Sequence, residues 1–417
     1  MVKKIAMVLA VAAFLMCFVG CVKSGEPSDD DKKEEFNAAE LPFYEEDTDN
    51  LTYTYTEEQR IRPYWLGNVI YNEQLMVVEK DGKTEGHLLY DALRIVSVRD
   101  WTLEKEYKEG VDYVVEGNTI TLPEGSSIPV FKDEWARGEN VPAEYPEGNA
   151  GTGYQMIGDG NSVMYTETGL IYKNYIHVTY VYDPAQVDRT KVTKYSESLY
   201  GLSEKIAAKE KINMLVFGDS ISEGHSSSEL WNHAPYSPPY AKLVKEGLEI
   251  YGGVEVEYTN ISVGGKDSEW AASEEQLATV AAASPDFLII AFGTNDTLDA
   301  LEGNSYKSNI SAIISTAKSV NSECQILLVA PFPSNELVKS AYCHELICQN
   351  LQEIVAQTDY LDVAYVSMYE GCLDMLKTKN YYEIAGNNAN HPNDFIHRYY
   401  AMNILSALID FDKTDKA

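Results

Sequence analysis

The chain has 417 residues, 45% hydrophobic and 24% charged. That is length enough for two or three globular domains, and it excludes a mainly disordered, collagen-like or coiled-coil polypeptide. Its 33 basic and 65 acidic residues give a formal charge of −32 with no Lys/Arg stripe, a field that repels phosphate backbones and excludes nucleic acid as a partner.

Lys3 and Lys4 form a short basic start, and Ile5 to Val19 is an apolar run. At about 1.5 Å per residue this run falls short of a ~30 Å hydrocarbon core, so residues 1–20 read as a signal peptide rather than a span. Phe18-Val-Gly-Cys21 resembles the bacterial lipobox, with Phe18 where leucine is usual. The resemblance implies lipidation of Cys21. Residues 21–50 carry Glu26, Asp29 to Asp31, Glu34, Glu35 and Glu45 to Asp47, a self-repelling tether. The expectation is an extracytoplasmic protein that touches the bacterial cell membrane only through a lipid.

Residues 51–190 read as short strands: Asn68–Tyr71, Leu75–Glu79, Leu93–Arg99, Asp112–Glu116, Thr119–Leu122, Ser162–Tyr165 and Ile176–Tyr182. Between them stand turn signals such as Asp81-Gly82 and Glu116-Gly-Asn118, and a glycine-rich run from Gly148 to Gly160. The pattern predicts a β-sandwich of jelly-roll type. Trp65, Trp101 and Trp135 read as core or interdomain packing, with a sugar-stacking platform as the alternative.

From 191 to 417 the grammar changes. Apolar runs Met214–Phe217, Val254–Tyr258, Phe287–Phe292, Gln325–Val329 and Val363–Val366 alternate with helical segments. The helices are expected at Ser196–Lys209, Tyr240–Glu249, Glu269–Ala282, Tyr306–Val320, Glu336–Ala356 and Asp394–Leu408. Continuous apolar strands between amphipathic helices predict a three-layer α/β/α domain around a parallel five-stranded sheet, flavodoxin-like, with chemistry at the carboxyl ends of the strands. Cys324, Cys343, Cys348 and Cys372 show no CxxC or zinc spacing and read as buried thiols.

Four blocks fall at those ends. The first strand runs into Gly218-Asp-Ser220, which exposes a hydroxyl at a strand-to-helix turn. Asn260-Ile-Ser-Val-Gly-Gly265, Gly293-Thr-Asn-Asp296 and Asn387-Asn-Ala-Asn-His391-Pro-Asn-Asp-Phe-Ile-His397 follow. In order and context these blocks resemble the SGNH, or GDSL-type, hydrolases, over about the last 200 residues. The resemblance implies that Ser220 is a nucleophile. It also implies an oxyanion hole built from the Ser220 N–H, the Gly265 N–H and the Asn295 amide. Gly265 rather than Gly264 is chosen because it lies five residues after Asn260. Asp219 and Asp296 read as acceptors that hold turns.

The base has two frames. Family members end in Asp-x-x-His-Pro-Asn. Here His391-Pro-Asn has Asn388 at the aspartate position, whereas Asp394-x-x-His397 restores the carboxylate but lies inside the last helix. The His-Pro-Asn match favours His391 working as a dyad, with Asp394 as the helix cap. The alternative is an Asp394–His397 pair. His225 and His233, in the loop after Ser220, read as solvated loop residues, with lining of the site entrance as the alternative; His344 is structural, and no histidine spacing suggests a metal. No cofactor is expected.

With a β-domain in front, the chain resembles bacterial carbohydrate esterases, which implies a serine esterase removing small acyl groups from glycans or small esters. The alternatives are acyl transfer on a cell-envelope polymer, or a glycan-binding lipoprotein with a degenerate hydrolase half.

Overall fold

The computed structural model describes residues 48–144, 152–156, 162–166, 169–338, 343–357 and 362–411. The expected signal peptide, Cys21, the tether up to Asp47 and residues 148–151 and 157–160 of the glycine-rich run lie outside the described residues.

The amino-terminal part is β-rich. Its strands are β1 (Val69–Lys80), β2 (Lys83–His87), β3 (Ala92–Asp100), β4 (Glu106–Tyr107), β5 (Val114–Glu116), β6 (Thr119–Thr121) and β7 (Val130–Lys132), then β8 (Thr152–Met156), β9 (Ser162–Thr166) and β10 (Tyr175–Tyr182). They form a sheet in the order β4-β3-β10-β1-β2-β6-β5, with β7 also on β1, while β8 and β9 pair separately. Every pairing is antiparallel except β7 on β1.

Two of the expected strands are one. β1 runs unbroken through Asn72-Glu73-Gln74, bulging between Ile70 and Glu73 with Asn72 at φ 44°. These polar residues read as a break because their partners are remote. Glu73 pairs with Lys379 at 2.5 Å, both side chains fully buried. It also accepts the Tyr180 hydroxyl at 2.6 Å, and Gln74 Oε1 accepts the Phe395 N–H at 2.9 Å. A buried ion pair held by further hydrogen bonds is costly to break from one side, so it fixes how the two halves meet.

The second half is the parallel sheet. β11 (Ile212–Gly218), β12 (Val256–Asn260), β13 (Phe287–Ala291), β14 (Gln325–Ala330) and β15 (Val363–Ser367) stand in the order β12-β11-β13-β14-β15, all parallel. Strand residues alternate between the two faces. Leu215, Phe217, Leu288 and Ile290 fill one core, and Met214, Val216, Ile289 and Leu327 fill the other. The second core continues into the β-rich part through Ile70, Val98 and Tyr180. All described residues belong to one compact unit.

The main helices are α1 (Tyr240–Gly252), α2 (Glu274–Ala283), α3 (Ser305–Val320), α4 (His344–Val355) and α5 (Asp394–Leu408). The helix expected over Glu269–Ala282 is two, because Asp267 caps a separate turn at Ser268–Ala271 through the Trp270 N–H, 2.9 Å away. The helix expected from Glu336 begins at His344. Residues 339–342 lie outside the described set, and Val338 closes a turn onto the Asn335 carbonyl at 2.7 Å. Every residue of α5 is buried, as fits a helix wedged between the sheet and the β-rich part. Its Arg398 donates to the Tyr71 carbonyl at 2.7 Å and the Arg60 carbonyl at 3.0 Å.

Candidate active site

Strand β11 delivers the serine. A Cβ at Gly218 would lie 2.3 Å from Ser222 Oγ and 2.6 Å from the Ala291 carbonyl oxygen, so only glycine lets the chain turn there. Asp219 caps the single helical turn Ser220–Glu223, accepting the Ile221 N–H at 3.0 Å. Burial pushes its carboxyl up to about 6. Ser220 is the first residue of that turn, where a backbone N–H has no intrahelical acceptor. The residue is 5% exposed, and its Oγ lies 2.8 Å from His391 Nε2.

The loop after β12 is tied alongside by the Val263 N–H, 3.1 Å from the Gly218 carbonyl. Here the two glycines part company. The Gly264 N–H donates to Glu223 Oε2 at 2.6 Å and is occupied. Gly265 sits at φ +73°, with open space where a Cβ would be, and its N–H has no acceptor among the described residues. Asn295 gives one amide proton to the Lys266 carbonyl at 3.0 Å, which orients the group and leaves its second proton. Asp296 accepts the Ser268 N–H at 3.1 Å and the Ser268 hydroxyl; burial raises its carboxyl to about 6. Both aspartates hold turns.

The turn before α5 presents His391, and its support differs from either expected frame. Asn388, at φ 60°, faces away: its Nδ2 donates to the Ala136 and Met164 carbonyls of the β-rich part, at 3.0 and 2.8 Å. Its neighbour Asn387 faces the imidazole instead. Asn387 Oδ1 gathers the N–H groups of Ala389, Asn390 and His391 at 2.9–3.0 Å, which leaves Nδ2 pointing at His391 Nδ1 from 2.9 Å. That contact by itself favours the tautomer with its proton on Nε2, whereas a base needs Nε2 bare.

The Asp394–His397 pair does not form. Fully buried His397 accepts the Tyr240 N–H on Nδ1 at 3.3 Å and donates Nε2–H to the His225 carbonyl at 3.0 Å. Burial lowers it to about 4, so it is neutral. Asp394 accepts the Ser228 N–H at 2.8 Å, and burial raises it to about 7. Asp394 is not the cap either. Asn393 is, accepting the Ile396 N–H at 3.0 Å.

His225 stands beside the site, its ring 5.0 Å from that of His391 and its Nε2 3.4 Å from Glu223. Trp231 meets His225 edge-on at 5.5 Å. His233 lies deeper, against Tyr172 and Trp101 at 4.6 and 6.0 Å. Trp65 is 2% exposed, and Trp101 and Trp135 pack on a core, so none of the three is an exposed platform. His344 is buried and stacks on Tyr369. Cys324, Cys343, Cys348 and Cys372 are free thiols. Sequence reasoning missed Asn387, Glu223 and Trp231; an aromatic in the loop that follows the serine was the available signal for the last.

Residues 216–399 match the family model of the GDSL-like lipase/acylhydrolases. The α/β half is an SGNH, or GDSL-type, hydrolase domain. No curated protein matches the chain in sequence. Among solved structures the chain is similar to a two-domain esterase active on acetylated mannans, co-crystallized with mannopentaose. The identity is 23% and the TM-score 0.40, over 53% of this chain and 55% of the other, so the match spans about half of that protein. It is also similar to an acetylxylan esterase from Geobacillus stearothermophilus, at 17% identity and TM-score 0.39, over 48% of this chain and 95% of the other. The strand-end cluster just described lies within the matched residues 216–399.

Proposed function

We propose that this protein is an extracytoplasmic serine esterase, anchored through Cys21, that removes acetyl or other small acyl groups from glycans through an acyl-serine intermediate. The observation that carries the reading is Ser220 Oγ at 2.8 Å from His391 Nε2, beside two backbone N–H groups without acceptors among the described residues. In the tautomer that carries its proton on Nδ1 and leaves Nε2 bare, His391 takes the hydroxyl proton as Ser220 attacks the ester carbonyl, and the N–H groups of Ser220 and Gly265 with the Asn295 amide receive the oxyanion. The imidazolium then protonates the departing sugar oxygen. Water repeats the sequence on the acyl-serine.

A neutral glycan suits a chain of charge −32 better than an anionic polymer does. Acetate release from a panel of acetylated glycans tests the reading. Wild type should release acetate and Ser220→Ala should not, with unchanged circular dichroism; substantial release by Ser220→Ala would overturn it. Cys21→Ala should free the protein from membranes, and retention after signal cleavage would contradict the anchor. One observation favours a second reading, a glycan-binding lipoprotein that no longer turns over: an amide rather than a carboxylate faces His391 Nδ1. Absence of any ester hydrolysis by a folded, glycan-binding wild type would decide for it.

A further inference from the structure

The loop that follows the serine turn is pinned from several sides. The Ser228 N–H donates to Asp394 at 2.8 Å, the Ser237 N–H to Ser228 Oγ at 2.7 Å, and the Tyr172 hydroxyl to the Ser226 carbonyl. Yet this held loop exposes large apolar side chains: Trp231 at 38%, Leu230 at 42% and Tyr236 at 57% of their surface. A pinned loop has no need to leave an indole in water for the sake of its own packing, and exposed apolar groups gathered on one loop mark a contact surface. Its position is specific. Trp231 touches His225, and His225 touches His391, through ring contacts of 5.5 and 5.0 Å.

We infer that Trp231 is a specificity-determining residue, the stacking platform for a pyranose ring of the acylated glycan next to the ester under attack. The inference rests on the esterase reading above. An indole face carries negative quadrupole charge and meets the polarised C–H face of a sugar ring over a wide, rigid area. Two ring contacts separate it from the catalytic imidazole, so the sugar occupying it is the acylated residue or its immediate neighbour. Trp65, Trp101 and Trp135 are committed to cores, whereas Trp231 is exposed beside the chemistry.

The test compares wild type, Trp231→Ala and Trp231→Phe on a neutral acetylated glycan, on 4-nitrophenyl acetate and on 4-nitrophenyl hexanoate. Trp231→Ala should raise KM for the glycan about tenfold, the scale of one lost aromatic contact. Its kcat/KM should fall more on the glycan than on the aryl acetate, and Trp231→Phe should restore most of the loss. Equal losses on both substrates would mean that the residue merely shapes the loop and would overturn the inference. So would an unchanged glycan KM, or a loss confined to the hexanoate ester, which would make Trp231 an acyl-chain contact. Wild type that cleaves aryl esters but no glycan would refute the glycan substrate, and this inference with it. Wild type that cleaves neither would refute the esterase reading itself.

Discussion

Asn387→Asp is the most informative single change at the site. Asn387 is fully buried, and its Oδ1 already accepts three backbone N–H groups at 2.9–3.0 Å. An aspartate of the same shape keeps those three bonds and turns its second oxygen to His391 Nδ1, 2.9 Å from the present Nδ2. A carboxylate with three N–H donors and an imidazole N–H has the partners that offset its desolvation. The polarity of the contact then reverses. Nδ1 becomes the donor, Nε2 is left bare to accept the Ser220 proton, and the imidazolium formed during attack gains a charge-assisted bond. In a protease triad the opposite exchange, carboxylate to amide, lowered kcat about 10⁴-fold, which sets the upper bound. A gain of at least about tenfold in kcat on 4-nitrophenyl acetate is expected, with much of KM unchanged because the aspartate touches no substrate. The acid limb of the pH profile should move to higher pH, since a nearby carboxylate stabilises the protonated ring. Unchanged or reduced kcat in a variant with native circular dichroism would refute the assignment of Asn387 as the group that orients His391.

His391→Ala should lose about as much activity as Ser220→Ala, whereas His397→Ala should lower Tm, because it orphans the Tyr240 N–H and the His225 carbonyl, at about 1–3 kcal/mol each; the reverse ranking of activities would restore the Asp394–His397 frame. Asp394→Asn should retain activity and gain stability above pH 7. The folded state holds that proton up to about 7 against an ordinary value of 3.8, so wild type loses stability as pH climbs through that window and the amide does not; the difference, up to about 4 kcal/mol in urea unfolding above pH 7, should vanish near pH 4. Gly265→Ala meets no atom within 4 Å but sits at φ +73°, so it should cost about 1 kcal/mol of stability and, by shifting an oxyanion donor, up to about 10²-fold in kcat. Full activity there would remove Gly265 from the oxyanion hole.

The parallel sheet and α5 were legible because their signals are local. Each strand is a short apolar run bounded by turns, and α5 starts at the expected Asp394 with a capping asparagine one residue earlier. What was not legible depends on partners far along the chain. Asn72-Glu73-Gln74 reads as a turn until Lys379 and α5 close over it. The adjacent Asn387 and Asn388 are chemically identical in sequence. Only the left-handed backbone at Asn388, which swings it toward carbonyls more than 200 positions earlier, assigns the imidazole to Asn387. The Asp-x-x-His spacing at Asp394 and His397 is equally uninformative by itself. Residues three apart share a helix face, yet the loop after Ser220 claims both, one through the Ser228 N–H and the other through the His225 carbonyl.

The central claim is that Ser220, activated by His391, is the nucleophile. Labelling with a fluorophosphonate probe, followed by peptide mapping, tests it most directly. A single adduct on Ser220 is expected in the wild type, none in Ser220→Ala and strongly slowed labelling in His391→Ala. An adduct on any other residue, or equal labelling of Ser220→Ala, would contradict it.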